Sequence, residues 1–398
     1  MTTRTRTRTR TRTRTALRTT ALATALTLAL AAGPLAAPAL ADSAPATATA
    51  QVAGPDAKAL QAAIAGLPNA DATAALVRVG GKGPDWHGSA GVHDLASGRP
   101  ADPDGRFRAG STTKVVTAAV VLQLAAEGDV DLGRPARHYL PELIPATYKD
   151  VTVRQLLNHT SGIPVPDLPG DTFEEVYAHR FDIHTAREMV ASATAKEPEF
   201  APGTGQHYLN IGYTVLEVLI ERVTGHSYER EAARRIFGPL GMRDTYLPGT
   251  DPEIRGPHNH GYQAVPRADG TTKLRDVTVW GTTDTGAAGA MISTTADLER
   301  LLTALFRGQV VPEPQLTEMF TVPADVPGAT MSAGLQRHVT DDGTELWGKS
   351  GGRWGYNTIV IGTRDLSRTL VYSVNSTDAK GYAMNPVAAR IIEATFRR

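Results

Sequence analysis

Cysteine is absent from the 398 residues. That excludes disulfide staples and thiol chemistry, and a chain of this length can build its core without them. Acidic residues are missing from positions 1–41, where seven arginines, six of them in a Thr-Arg repeat, precede an apolar run over 21–32. The run is too short and too interrupted by threonine to span a bilayer. It closes on Ala39-Leu40-Ala41 before Asp42, an A-x-A pattern for signal-peptide cleavage. Residues 1–41 are therefore read as a signal peptide and 42–55, rich in Ala, Pro and Thr, as a flexible linker. The remaining chain lacks a second long apolar run, so no membrane anchor is expected. A secreted, extracellular protein is expected.

Removing seven arginines leaves 41 − 7 = 34 basic against 41 acidic residues, a charge of about −7. No basic stripe survives, which argues against nucleic acid as a partner. No His-Glu-x-x-His occurs, and His258-Asn259-His260 has no third ligand at helical spacing, so no metal is expected. No histidine follows His338. Gly348-Lys349-Ser350-Gly351-Gly352 matches the Gly-x-Ser-x-Gly elbow, but that triad needs a later histidine, so Ser350 cannot head it. The overlapping Gly343-x-x-x-x-Gly348-Lys349-Ser350 satisfies a phosphate-loop pattern. Strand-like residues flank it where that motif needs a following helix, which excludes nucleotide binding.

What is present centres on Phe107-Arg108-Ala109-Gly110-Ser111-Thr112-Thr113-Lys114 and the apolar run that follows to Glu127. Apolar on nearly every face and stopped by Gly128, it reads as a helix buried mid-domain. Ser111 and Lys114, three positions apart, share one helical face and can touch. A buried cation is costly unless it is used. The pair reads as a nucleophile and its base.

Along the chain, a helix is expected over 56–66 and strands over 73–79 and 85–93. Helices follow at 153–157, 185–194, 211–224, 228–237 and 295–308, then strands at 331–338, 345–349, 356–362 and 369–374, and a last helix over 386–396. Strands at both ends with helices between imply an α+β fold, an α/β sandwich. One antiparallel sheet of N- and C-terminal segments (56–132 and 290–398) is flanked by helices, with a mostly helical domain inserted over 133–289.

Two further motifs accompany Ser-x-x-Lys. Tyr208-Leu209-Asn210 follows a Pro202-Gly203 turn and opens a helix, and Lys349-Ser350-Gly351 ends a strand. With these three the chain resembles the serine β-lactamase-like superfamily, in particular the actinomycete secreted DD-carboxypeptidases among penicillin-binding proteins and the class C β-lactamases. The resemblance runs from about Asp56 to the C-terminus. It implies the β-lactamase/transpeptidase-like fold and a serine-type D-alanyl-D-alanine carboxypeptidase working through a Ser111 acyl-enzyme and acylated by β-lactams. A class C-like β-lactamase or an esterase on the same fold is the alternative, and a non-catalytic wall-binding homologue a third.

In that scheme Ser111, Lys114 and Tyr208 are catalytic, and either Lys114 or Tyr208 is the base. A helix N-terminus and the second cation Lys349 would favour neutral Lys114. Asn210, Lys349, Ser350, Gly351 and Trp280 would bind substrate, Trp280 as a cleft wall. The backbone N–H groups of Ser111 and Gly352 would form the oxyanion hole. His159 reads as a structural histidine. The implied partners are a peptidoglycan-type peptide or small acyl substrate and β-lactams, with no cofactor and a monomeric protein. Two departures stand out. Lys349-Ser350-Gly351 replaces the His-Thr-Gly common in the secreted carboxypeptidases. The arginine expected after Gly334-Leu335 is displaced by Gln336, so Arg337 is expected to point away from the cleft.

Overall fold

The structure is a computed structural model that describes residues 54–381 and 383–396. The expected signal peptide and residues 42–53 of the expected linker lie outside the described residues. Helix α1 (Ala57–Ile64) opens on Asp56, whose side chain accepts from the Ala59 N–H at 2.9 Å. Strands β1 (Ala72–Gly81) and β2 (Trp86–Gly91) follow. A two-residue strand β3 (Phe107–Arg108) and a 3₁₀ turn over Gly110–Thr112 lead into α2 (Thr113–Glu127).

Next come Val153–Leu157, α3 (Ala186–Thr194) and α4 (Ile211–Thr224). Thr152 with Gln155 and Thr185 with Glu188 close capping boxes on the first two, and Gly225, at φ 71°, ends the third. The hairpin β4 (Tyr262–Pro266) and β5 (Thr272–Asp276) precedes β6 (Ile292–Ser293), which pairs with β3. Then come α5 (Thr295–Phe306), β7 (Gln336–Val339), β8 (Glu345–Arg353), β9 (Tyr356–Thr363), β10 (Arg368–Ser376) and α6 (Pro386–Phe396).

The main sheet is six-stranded in the order β2-β1-β10-β9-β8-β7, antiparallel throughout. The two chain ends therefore meet at β1 and β10, as the α+β expectation requires. Alternation sorts its side chains onto two faces. Ala75, Val77, Val79, Ile359, Ile361 and Leu370 pack with α1 and α6. Leu76, Trp347, Val360 and Val371 join α2, α4 and α5 in a second core. Among the described residues no helix is long and apolar enough to cross a membrane.

Helix α2 lies at the centre of that second core, with Val115, Val116, Val120, Val121, Leu122 and Leu124 at most 2% exposed. Each such side chain is worth roughly 1.5–3 kcal/mol of burial. That is enough to carry Lys114, one position ahead of them, out of water.

Three expectations need correction. The strand expected over 331–338 begins only at Gln336, because Gly334 takes φ 79° and the Ser332 N–H donates to the Leu335 carbonyl at 2.9 Å, closing a turn instead of joining the sheet. The strand expected to stop at 349 runs on to Arg353, since Gly351 and Gly352 stay in register with Thr358 and Asn357. The helix expected over 228–237 changes at Ala233 into a π-helical turn.

Candidate active site

Gly110 turns the chain into α2 with φ 53°, in the left-handed region that favours glycine. The turn is fixed from both sides. Ala109 N–H donates to the Met291 carbonyl at 2.8 Å, and Thr358 Oγ1 donates to the Ala109 carbonyl at 2.8 Å. This seats Ser111 at the mouth of the buried helix, with Lys114 one turn inside. Their reactive atoms, Oγ and Nζ, are 3.3 Å apart.

Lys114 is fully buried. Its Nζ donates to Asn210 Oδ1 and to the Ala288 carbonyl, each at 2.8 Å, and lies over the rings of Tyr208 and Tyr213, 5.0 and 5.5 Å from their centroids. Among the described residues no carboxylate pairs with it. Its pKa is held well below the ordinary lysine value, first by burial and then by the cations of Lys349 and Lys380. Burial is the dominant cause.

Tyr208 stands between the two lysines, its ring centroid 4.5 Å from Lys349 Nζ. The phenol oxygen is buried, and among the described residues no group meets it in full hydrogen-bond geometry. Burial raises its pKa to about 12, and the Ser111 hydroxyl, the polar group next to it, draws it down in part. At neutral pH this group keeps its proton. His159, at φ 62°, packs its ring against Tyr208 and Tyr213 with centroids 4.6 and 5.3 Å away. Burial and both lysines hold its pKa well below normal, so the ring is neutral. It is a packing residue, as its sequence context suggests.

Strand β8 brings the third motif. Lys349 is buried, its pKa lowered to about 8 by burial, and its Nζ donates to the Ser350 carbonyl at 3.0 Å. A Cβ on Gly351 would overlap the Ala109 carbonyl oxygen and come within 2.5 Å of Thr358 Oγ1. A Cβ on Gly110 would lie 2.8 Å from Gly352 N. Only glycines allow β8 this close to the Ser111 turn. Strand β7 pairs with β8 only as far as Gly348, so the edge beside Lys349–Gly352 carries no β7 partner. Ser350 is exposed, and alternation turns its side chain to the face opposite Lys349.

Trp280 is 2% exposed. It stacks on Trp354, 5.5 Å away at the turn after β8, and meets Tyr177 and Phe173. It is a buried member of that aromatic cluster. Arg337 lies opposite Trp347 and Gln336 opposite Gly348, and cross-strand partners share a face. The expectation that Arg337 points away is therefore corrected: it lies on the Trp347–Lys349 side. Its guanidinium is taken by Glu345, Nε at 3.0 Å.

Sequence reading missed several contributors. The Ala288 acceptor is a backbone carbonyl, which every residue has, so no pattern flags it. Arg353, 3% exposed, grips Asp284 with two hydrogen bonds at 2.5 and 2.8 Å and ties β8 to the 281–289 segment. His93 packs beside His258 and His260, with centroids 6.4 and 5.3 Å away, although no group of described residues can hold a metal ion.

A hydroxyl facing a pKa-depressed amine, with a protonated phenol beside them and a glycine-edged strand alongside, is the equipment of a serine hydrolase that works by acyl transfer. Family comparison agrees: the Beta-lactamase family model matches residues 60–393, and the chain belongs to that family. It is 28% identical over 307 residues to penicillin-binding protein 4* of Bacillus subtilis (strain 168), covering 75% of this chain and 66% of that protein. It is 32% identical over 188 residues to esterase EstB of Burkholderia gladioli, covering 44% of this chain and 47% of the esterase. Among solved structures, a D-stereospecific amidohydrolase from Streptomyces sp. superposes with a TM-score of 0.74 at 32% identity, covering 86% of this chain and 99% of that one. The D-amino acid amidase of Ochrobactrum anthropi SV3 complexed with D-phenylalanine gives 0.70 at 27% identity, covering 85% and 98%.

Proposed function

We propose that the protein hydrolyses amide bonds that follow a D-amino acid residue, D-alanyl-D-alanine peptides first among them, through a Ser111 acyl-enzyme that β-lactams also form. The carrying observation is the environment of Lys114 Nζ. A neutral amine has two N–H bonds and one lone pair. Asn210 and Ala288, both at 2.8 Å, take the two N–H bonds. The lone pair is left for the Ser111 hydroxyl at 3.3 Å.

Lys114 is the base in this reading, because its amine is depressed while the Tyr208 phenol is raised. Ser111 Oγ bonds to the substrate carbonyl carbon as its proton passes to Lys114. The carbonyl oxygen gains the charge and is met by the backbone N–H groups of Ser111 and Gly352. As the C–N bond breaks, Tyr208 gives its proton to the leaving amine and regains one from Lys114. Water then attacks the ester with the same groups running in reverse. Substrate backbone pairs along the open β8 edge, with Lys349 as the cation beside it. Export by residues 1–41 belongs to the same proposal and would put the enzyme where wall peptides are.

The commitment of Arg337 to Glu345 favours a second reading, in which the leaving group carries no carboxylate and D-amino acid amides or esters are preferred. One panel tests both: D- and L-phenylalanine amides, a D-alanyl-D-alanine tripeptide, a p-nitrophenyl ester and a fluorescent penicillin, each against wild type and Ser111→Ala. Turnover of D-configured substrates that Ser111→Ala abolishes is expected. L-preference, or turnover that survives Ser111→Ala, overturns the proposal.

A further inference from the structure

The turn Gly286–Gly289 has the sequence Gly-Ala-Ala-Gly and no polar side chain with which to hold itself in place. Its carbonyls nonetheless serve α2: Ala287 O accepts from Thr117 Oγ1 at 2.6 Å, and Ala288 O accepts from Lys114 Nζ at 2.8 Å. The hold comes from α4, where Glu217 Oε2 accepts the Ala287 N–H at 2.7 Å. Gly286, at φ 38°, leaves the space: a Cβ there would collide with Glu217 Oε2.

Glu217 follows Asn210 by seven residues, which returns to nearly the same helical face after about two turns. One helix thus supplies both acceptors of the Lys114 N–H bonds, Asn210 directly and Ala288 through Glu217. We infer that Glu217 is a positioning residue, fixing the Ala288 carbonyl so that the Lys114 lone pair is aimed at Ser111; this rests on the acyl-enzyme reading above.

Stability alone is a poor account of this carboxyl group. Burial, with Glu229 and Glu221 nearby, raises its pKa to about 7, and the Ala287 N–H is the contact that favours its anion. Tyr228, packed beside it, spends its hydroxyl on Thr117 at 2.7 Å. A carboxylate kept at a site that disfavours charge fits a place where its acceptor is used.

The test is the p-nitrophenol burst from p-nitrophenyl acetate with the full-length protein, read as burst rate constant and half-saturation concentration, and with thermal melts to confirm folding. Glu217→Gln keeps an oxygen acceptor for Ala287 N–H and should stay within about threefold of wild type. Glu217→Leu has no acceptor and Glu217→Asp is one methylene too short; both should lose tenfold or more in rate constant with half-saturation unchanged. If the leucine variant does not fold, the contrast between Gln and Asp decides. Asp within threefold of wild type, Gln as slow as Asp, or a loss confined to half-saturation would each overturn the inference while leaving the acyl-enzyme reading standing. A burst that survives Ser111→Ala would remove both.

Discussion

Alanine at position 351 tests most directly how the site is closed. The added methyl would overlap the Ala109 carbonyl oxygen and approach Thr358 Oγ1 to 2.5 Å. Neither atom can swing aside. Ala109 O belongs to the peptide entering the Gly110 turn and already accepts from Thr358 Oγ1, while Ala109 N–H is bonded to Met291. Restoring ordinary contact requires β8 and the Ser111 turn to separate by roughly 1 Å, a misplacement that costs on the order of 100-fold in rate. Overpacking of this kind also costs about 1–3 kcal/mol of stability. Burst kinetics with p-nitrophenyl acetate and thermal melts read the two effects. Gly133→Ala is the control, since it lies outside the site and its Cβ would meet nothing closer than Asp131 Oδ1 at 3.4 Å, and it should match wild type. A Gly351→Ala enzyme that acylates within threefold of wild type, or a Gly133→Ala enzyme equally damaged, refutes the geometry.

Other outcomes follow from the same contacts. Ser111→Ala should abolish labelling by a fluorescent penicillin and Ser350→Ala only slow it; total loss in the Ser350 variant alone would assign the nucleophile wrongly. Asn210→Ala removes an acceptor from the ammonium formed in the transition state. A hydrogen bond to a charged group is worth about 1.5–3 kcal/mol, and because Asn210 is exposed the low end applies, roughly tenfold in burst rate. Acylation should rise with pH through the depressed Lys114 value, because only the neutral amine accepts the proton. Lys349→Met deletes a cation that lowers that value, so Lys114 holds its proton to higher pH and the acid limb of the rate profile should move upward. In the wild type, Lys349 loses its charge above about pH 8, so half-saturation should rise there for substrates ending in a carboxylate and stay level for amides.

Local chemistry settled a good part of this molecule in advance. An apolar run of this length with a glycine at each end favours a buried helix over a strand, and spacing three apart then puts Ser111 and Lys114 on one face. Period-two runs near both ends required a sheet closed by the two termini, because such strands must find partners. What local pattern cannot express is which backbone atom meets which side chain across hundreds of residues. Ala288 O becomes the lysine's acceptor only because Glu217 and α2 converge on its turn. Tyr208 and Lys349, 141 positions apart, become neighbours only when β8 docks. The face of Arg337 depended on the register of β7 against β8, which sets it opposite Trp347. Proposing Lys114 rather than Tyr208 as base likewise waited for burial: the same loss of water drives an amine toward neutrality and keeps a phenol protonated, and burial is a property of the assembled core.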